Sequence, residues 1–192
     1  MSITLHPSRS ARDRLIDTAR SLFLRHGVPQ VGINRVIDEA GVARMTLYNH
    51  FPSKDALVAA VFEREAELRR QAITSVQDEL DGPVEKVLAL FTVALDLAAV
   101  EGFRGCAFVN LAIEAAAPDG ALHGLAKAHK DWILGNVASC LPPDAFADPQ
   151  ALARQVVVLW DGGIVGAYVQ QSSVPIEAAR DAARALMRTA AS

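Results

Sequence analysis

From residue 41 to residue 57 the chain reads GVARMTLYNHFPSKDAL, with no acid before Asp55. Arg44, Met45, Thr46, Tyr48, Asn49, His50 and Lys54 lie in this stretch at helical spacing, and together they can bind a polyanion and read it. Arg44 and Lys54 are cations suited to phosphate oxygens, and the Thr46 and Tyr48 hydroxyls suit the same oxygens as neutral donors. Asn49 can pair bidentately with adenine and Arg44 with guanine, while Met45 can touch a thymine methyl. Lys54 also breaks a local rule. A cation in the first turn of a helix opposes the macrodipole by about 0.3–1 kcal/mol, and a phosphate lying on that helix end reverses the sign. The plain alternative is that any helical hairpin carries polar residues on its outer face. His50, beside the anchoring side of its helix, suits a structural role as well as a contact.

Three helices must position these groups. Leu15, Ile16, Ala19, Leu22 and Phe23 recur at helical spacing, and Gly27 supplies a stop after Arg25 and His26. A second short helix is predicted from Ile33 to Ala40, burying Ile33, Val36, Ile37 and Ala40, with Gly41 as its breaker. The third runs from Arg44 to about Phe51. At about 100° per residue, Leu47 and Phe51 fall on its anchoring side and Met45 and Asn49 on the other. That is a helix-turn-helix, whose second helix enters the DNA major groove. Ser53 can cap a fourth helix through Leu57, Val58, Val61 and Phe62 toward Leu80.

The remainder is also helical, with apolar positions at Val84, Val87, Leu88, Phe91 and Leu95, then at Leu122, Leu125, Ala126, His129, Trp132, Ile133 and Val137. DGP, EGFRG, APDG, LPPD and SSVP separate the elements, and Asp148 before Pro149 is a helix start. No strand-like alternation or tandem repeat appears. The predicted fold is all-α with about nine helices: a DNA-binding domain over residues 1–54 and a larger helical domain over residues 55–192.

The 192 residues, 51% of them hydrophobic, suffice for a substantial core, and the net charge of -3 excludes a general nucleic-acid-coating protein. The charge is uneven: residues 1–62 hold eight Lys or Arg against five acids, and residues 63–192 hold eleven against seventeen. Only the first third favours a polyanion. The N-terminus MSITLHPSRSARDR lacks the apolar core of a signal peptide, and the apolar stretches Val87–Leu95 and Val156–Val169 are cut by Asp96 and Asp161, so a cytoplasmic protein without a membrane partner is expected. Cys106 and Cys140 make no disulfide framework or C-x-x-C motif. His123 and His129 do not share a helix face, so no metal is expected, and no cofactor. The chain lacks G-x-S-x-G, H-E-x-x-H and a Gly-rich phosphate loop, which argues against an enzyme.

Residues from about Arg12 to Phe62 resemble the DNA-binding domain of the tetracycline-repressor (TetR) family. The matching pieces are RLIDTARSLFLRHG, INRVIDEAGVA and TLYNHFPSKDAL, the last holding the family's Leu-Tyr-x-His-Phe at Leu47, Tyr48, His50 and Phe51, followed by Lys54. The resemblance implies phosphate contacts at Thr46, Tyr48 and Lys54 and base reading at Arg44, Met45 and Asn49. Ala43 departs from the Ser or Thr that usually caps the recognition helix, and Met45 from the common Gly.

The resemblance also implies a C-terminal domain that binds a small-molecule effector and forms a homodimer on a pseudo-palindromic DNA operator, the effector releasing a repressor. A constitutive regulator without a ligand and an α-helical enzyme are the alternatives. Phe91, Phe108, Asn110, Glu114, His129, Trp132, Trp160 and Tyr168 are the candidate pocket residues, since an apolar cavity with few polar groups suits a small ligand. The same aromatics suit a plain core. Cys106, beside Arg104, fits either a redox sensor or a packed thiol. Gly162, Gly163 and Gly166 would let helices approach closely, and Ala178, Ala182, Ala185 and Leu186 form a smooth stripe; both are candidates for the dimer interface or for packing within the chain.

Overall fold

The predicted helices form, and side-chain caps fix where α1, α4 and α8 begin. The structure is a computed structural model describing residues 10–115, 117 and 119–191; residues 1–9, on which the signal-peptide reading rests, and Pro118 of the APDG breaker lie outside them. Among the described residues there are nine helices: α1 (Ala11–His26), α2 (Ile33–Ala40), α3 (Arg44–His50), α4 (Lys54–Asp78), α5 (Pro83–Ala98), α6 (Ala107–Glu114), α7 (Ala121–Ser139), α8 (Pro149–Gln170) and α9 (Val174–Ala190). The chain divides into two compact units, Met1–Glu65 and Ala66–Ser192.

In the first unit α1 starts at Ser10, whose hydroxyl accepts from the Asp13 N–H at 3.1 Å, and buries Leu15, Ile16, Ala19, Leu22 and Phe23. Gly41 ends α2 in the left-handed conformation, φ 62° and ψ 45°. The Gly41 N–H donates to the Asp38 carbonyl and the Val42 N–H to that of Ile37, a Schellman closure that redirects the chain into α3 within two residues. Leu47 is the only buried residue of α3, and Phe51 follows it into the same core. Ser53 caps α4 as predicted, accepting from the Ala56 N–H at 3.1 Å. Ion pairs tie α1 to the same unit's stretch of α4. Arg20 Nε donates to Oε2 of the fully buried Glu65 at 2.5 Å, and Arg64 stands 3.5 Å from Asp13 and 3.4 Å from Asp17.

The second unit has one core, built from α5, α7, α8, α9 and Ile73 of α4, with Phe91, Ile133, Val156, Ile176 and Met187 among its buried side chains. Asp148 caps α8 by accepting from the Ala151 N–H at 2.9 Å. A reciprocal amide pair joins α4 to α7: Gln77 Nε2 donates to Asn136 Oδ1 at 2.9 Å, and Asn136 Nδ2 donates to Gln77 Oε1 at 3.0 Å. Gln77 Nε2 also reaches the Lys86 carbonyl at 3.0 Å.

Helix α8 revises one expectation. At 22 residues it is long and apolar enough to cross a membrane, Asp161 notwithstanding. Its apolarity has a local use, because Leu152, Ala153, Val156, Trp160, Ile164 and Ala167 are buried in the unit's core.

Gly163 and Gly166 of α8 pack against α9 of the same chain. A Cβ on Gly163 would stand 3.0 Å from Ala179 Cβ and 3.2 Å from Ile176 Cα, and one on Gly166 would stand 2.8 Å from Pro175 Cβ. Close approach inside the chain therefore accounts for both, while Gly162 is open. Gly166→Ala is expected to destabilise by about 1 kcal/mol, overpacking against a rigid proline ring outweighing the helix propensity gained. Gly135→Ala on α7, where nothing lies within 4 Å, is expected to stabilise by about 0.5–1 kcal/mol. Thermal denaturation of the two variants checks the opposite signs.

Candidate nucleic-acid interface

Anchored by Leu47, α3 turns its polar residues outward. Met45 is 69% and Tyr48 40% exposed, Arg44, Asn49 and His50 are exposed, and Thr46 is half-buried. No acid lies on this helix. Ala43 gives α3 no side-chain cap, and its carbonyl instead accepts from the Thr46 and Leu47 N–H groups at 2.9 and 3.3 Å.

Two of the cations are already held. Arg44 Nη2 donates to Asn34 Oδ1 of α2 at 3.0 Å, and its guanidinium carbon stands 6.0 Å from the Tyr48 ring centroid. Lys54 Nζ donates to the Val28 carbonyl at 2.7 Å, fastening the α1–α2 turn to the start of α4. This contact is a second reason for a cation at a helix N-terminus, beside the phosphate inferred from the macrodipole. An ammonium has three donors and a guanidinium five, so both groups keep donors beyond these contacts. His50 lies beside Phe51, ring centroids 6.3 Å apart, at the anchoring edge and yet exposed. Sequence reasoning missed Asn34 and the Val28 carbonyl. Asn34 was visible as a polar residue in the first turn of α2; a backbone acceptor leaves no signal in a sequence.

The pocket candidates of the larger unit separate into three groups. His129 is buried at 2% exposure, and Phe108 stacks flat on it, centroids 3.7 Å apart at 13°. Trp132, one turn on from His129, lies under the Arg70 guanidinium at 5.7 Å. Phe91 and Trp160 belong to the main core; the Trp160 N–H donates to the Leu90 carbonyl at 3.2 Å and its ring faces Lys130, whose ammonium pairs with Asp161. Asn110, Glu114 and Tyr168 form the third group. Asn110 Nδ2 donates to the Arg104 carbonyl at 2.8 Å, Glu114 ends α6, and Tyr168 is 40% exposed beside Gly105.

His129 is held neutral: burial, then the positive charges of Lys130, Arg69 and Arg70, lower its pKa from 6.5 to about 3. Burial pushes the Cys140 thiol up. Cys106 is half-buried and packs against the main core. No group of three His, Cys, Asp or Glu able to hold a metal occurs among the described residues. On the outer side of α8 and α9 an open groove of about 480 Å³ is lined by Arg154, Gln155, Val158, Leu159, Ala182 and Leu186. Ala178, Ala182 and Ala185 are exposed and Leu186 is half-buried.

An acid-free α3, set on one buried leucine and preceded by a glycine-closed α2, defines a helix-turn-helix protein. The family model for bacterial regulatory proteins of the tetR family matches residues 15–61. A solved TetR-family transcriptional regulator from Streptomyces coelicolor is 31% identical over 96% of this chain and 91% of its own, with a TM-score of 0.89. An uncharacterized HTH-type transcriptional regulator of Mycobacterium tuberculosis is 35% identical over 86 residues, 44% of this chain and 42% of that relative's length. The HTH-type transcriptional repressor NemR of Escherichia coli is 25% identical over 90% of this chain and 91% of its own. The chain belongs to the TetR family of transcriptional regulators.

Proposed function

We propose that this protein is a homodimeric repressor that binds a pseudo-palindromic operator through α3 and leaves it when a small-molecule effector enters the larger unit. The observation that carries the reading is the outward face of α3, where Arg44, Tyr48 and Asn49 stand exposed without an acid. Thr46, Tyr48 and Lys54 contact phosphates, and Arg44, Met45 and Asn49 read bases, with His50 at the edge. One short helix reads few base pairs, so a two-fold pair of reading heads is needed for a specific site. The apolar groove around Val158, Leu159, Ala182 and Leu186, next to exposed Gly162, Ala178 and Ala185, is the surface that a second copy would cover. The name of NemR supports the repressor reading.

Gel retardation with DNA from upstream of the gene tests the assignment. Tyr48→Ala and Lys54→Ala are expected to weaken binding to all sequences, Lys54→Ala lowering the slope of log affinity against log salt by about 1. That slope separates a phosphate contact from the Val28 fastening, whose loss weakens binding without changing counterion release. Asn49→Ala is expected to relax preference at one base pair of each half-site by about 1–3 kcal/mol. Wild-type binding by all three variants would overturn the site.

A further inference from the structure

We infer that the effector is an organic anion, a carboxylate on a flat aromatic body, received at His129 of α7 and Arg70 of α4, beside Phe108 and Trp132. This rests on the ligand-responsive reading above and names the chemistry of its ligand.

Two buried nitrogens at this place have no hydrogen-bond partner, His129 Nδ1 and Arg70 Nε. Buried polar atoms are nearly always paired, and an exception needs an explanation such as a site for a ligand. His129 is 2% exposed, so bulk solvent does not reach it. Arg70 Nη1 forms a long ion pair with Glu67 Oε2 at 3.7 Å, which leaves Nε without an acceptor.

The charges that act on the imidazole are positive. They come from Lys130 on α7 and from Arg69 and Arg70 on α4, while α6 presents the ring of Phe108. Lys130 is paired with Asp161, so Arg70 is the cation with an unused buried donor. A carboxylate placed here accepts from Arg70 Nε–H and from a ring N–H of His129, satisfying the orphaned donor and adding a negative charge beside the cations. An uncharged ligand adds no such charge, and a cation is repelled.

The flat body follows from what surrounds the two nitrogens. His129 is already stacked on Phe108, and the Arg70 guanidinium lies over the Trp132 ring, so the side chains here are planar. A planar ring attached to the carboxylate extends these stacks, which a bulky tetrahedral group does not.

Calorimetric titration of the full-length protein with benzoate, phenylacetate and 2-naphthoate, each against its neutral amide, tests the inference. At least one acid is expected to bind about tenfold or more tighter than its amide. R70Q and H129Q are each expected to weaken that acid about tenfold, with R70K recovering only part, because lysine lacks the planar fork. Arg70 is partly exposed, so R70Q keeps the test valid even if H129Q does not fold. Amides binding as tightly as acids, no acid binding, or R70Q binding like wild type would each overturn the inference. Operator retardation on the same samples separates the two readings. Release from DNA by an uncharged compound alone sinks the anion and leaves the regulator; failure to bind any operator sinks the regulator.

Discussion

Between pH 7 and pH 4 the wild-type protein is expected to lose about 3 kcal/mol of stability that a His129→Leu variant keeps. His129 is buried beneath Phe108 with an unpartnered Nδ1, and its pKa is lowered to about 3 by burial and by Lys130, Arg69 and Arg70. In the unfolded chain the imidazole titrates near its ordinary 6.5. Above that value both states carry it neutral and stability does not depend on it. As pH falls below 6.5 the unfolded state takes up a proton that the folded state refuses, so stability falls by up to about 1.4 kcal/mol per pH unit until the folded group titrates near 3. Asp13 works in the same direction: the hydrogen bond from Ser10 holds its carboxyl below the usual range, so its contribution is lost on protonation. That loss is common to both proteins and cancels in the comparison. Urea unfolding of each protein at pH 7, 5.5 and 4 gives the difference; parallel pH profiles would mean that the folded imidazole accepts a proton freely.

Leu47→Ala is expected to abolish operator binding while leaving the larger unit folded. Leu47 is fully buried and is the only buried residue of a seven-residue helix without a side-chain cap. Truncating a buried leucine costs about 2–5 kcal/mol, and an isolated helix of this length has no stability of its own. Leu47, Phe51 and the Arg44–Asn34 hydrogen bond therefore anchor α3. Hydrogen exchange should show residues 44–50 losing protection, with residues 87–94 of α5 unchanged. A variant that retards operator DNA as wild type does would show that the outward residues hold the helix without its anchor.

How much of this was legible depended on whether the partner of a residue was local. Gly27 and Gly41 as stops, and Ser53 and Asp148 as caps, acted within four residues of where the sequence placed them. Partners distant in sequence were less visible. The glycines of α8 read as a close-approach surface, but spacing alone did not tell a second chain from Pro175 and Ala179 of α9. Lys54 read as a cation in an unfavourable place, and its partner is a backbone carbonyl 26 positions away. Arg70 was not among the pocket candidates because REAELRR reads as a solvated charged face; only the fold puts its Nε out of water. Tyr168 stands 40% exposed and Asn110 bonds the Arg104 carbonyl, and aromatic and amide side chains serve surfaces and turns as readily as cavities.

The reciprocal amide pair between Gln77 and Asn136 bears on how α4 can turn. Each amide gives the other one hydrogen and takes one from it, so rolling either helix far enough to lose one bond loses its twin as well. Resistance of that kind is a detent, firm over a narrow range of angles and absent beyond it.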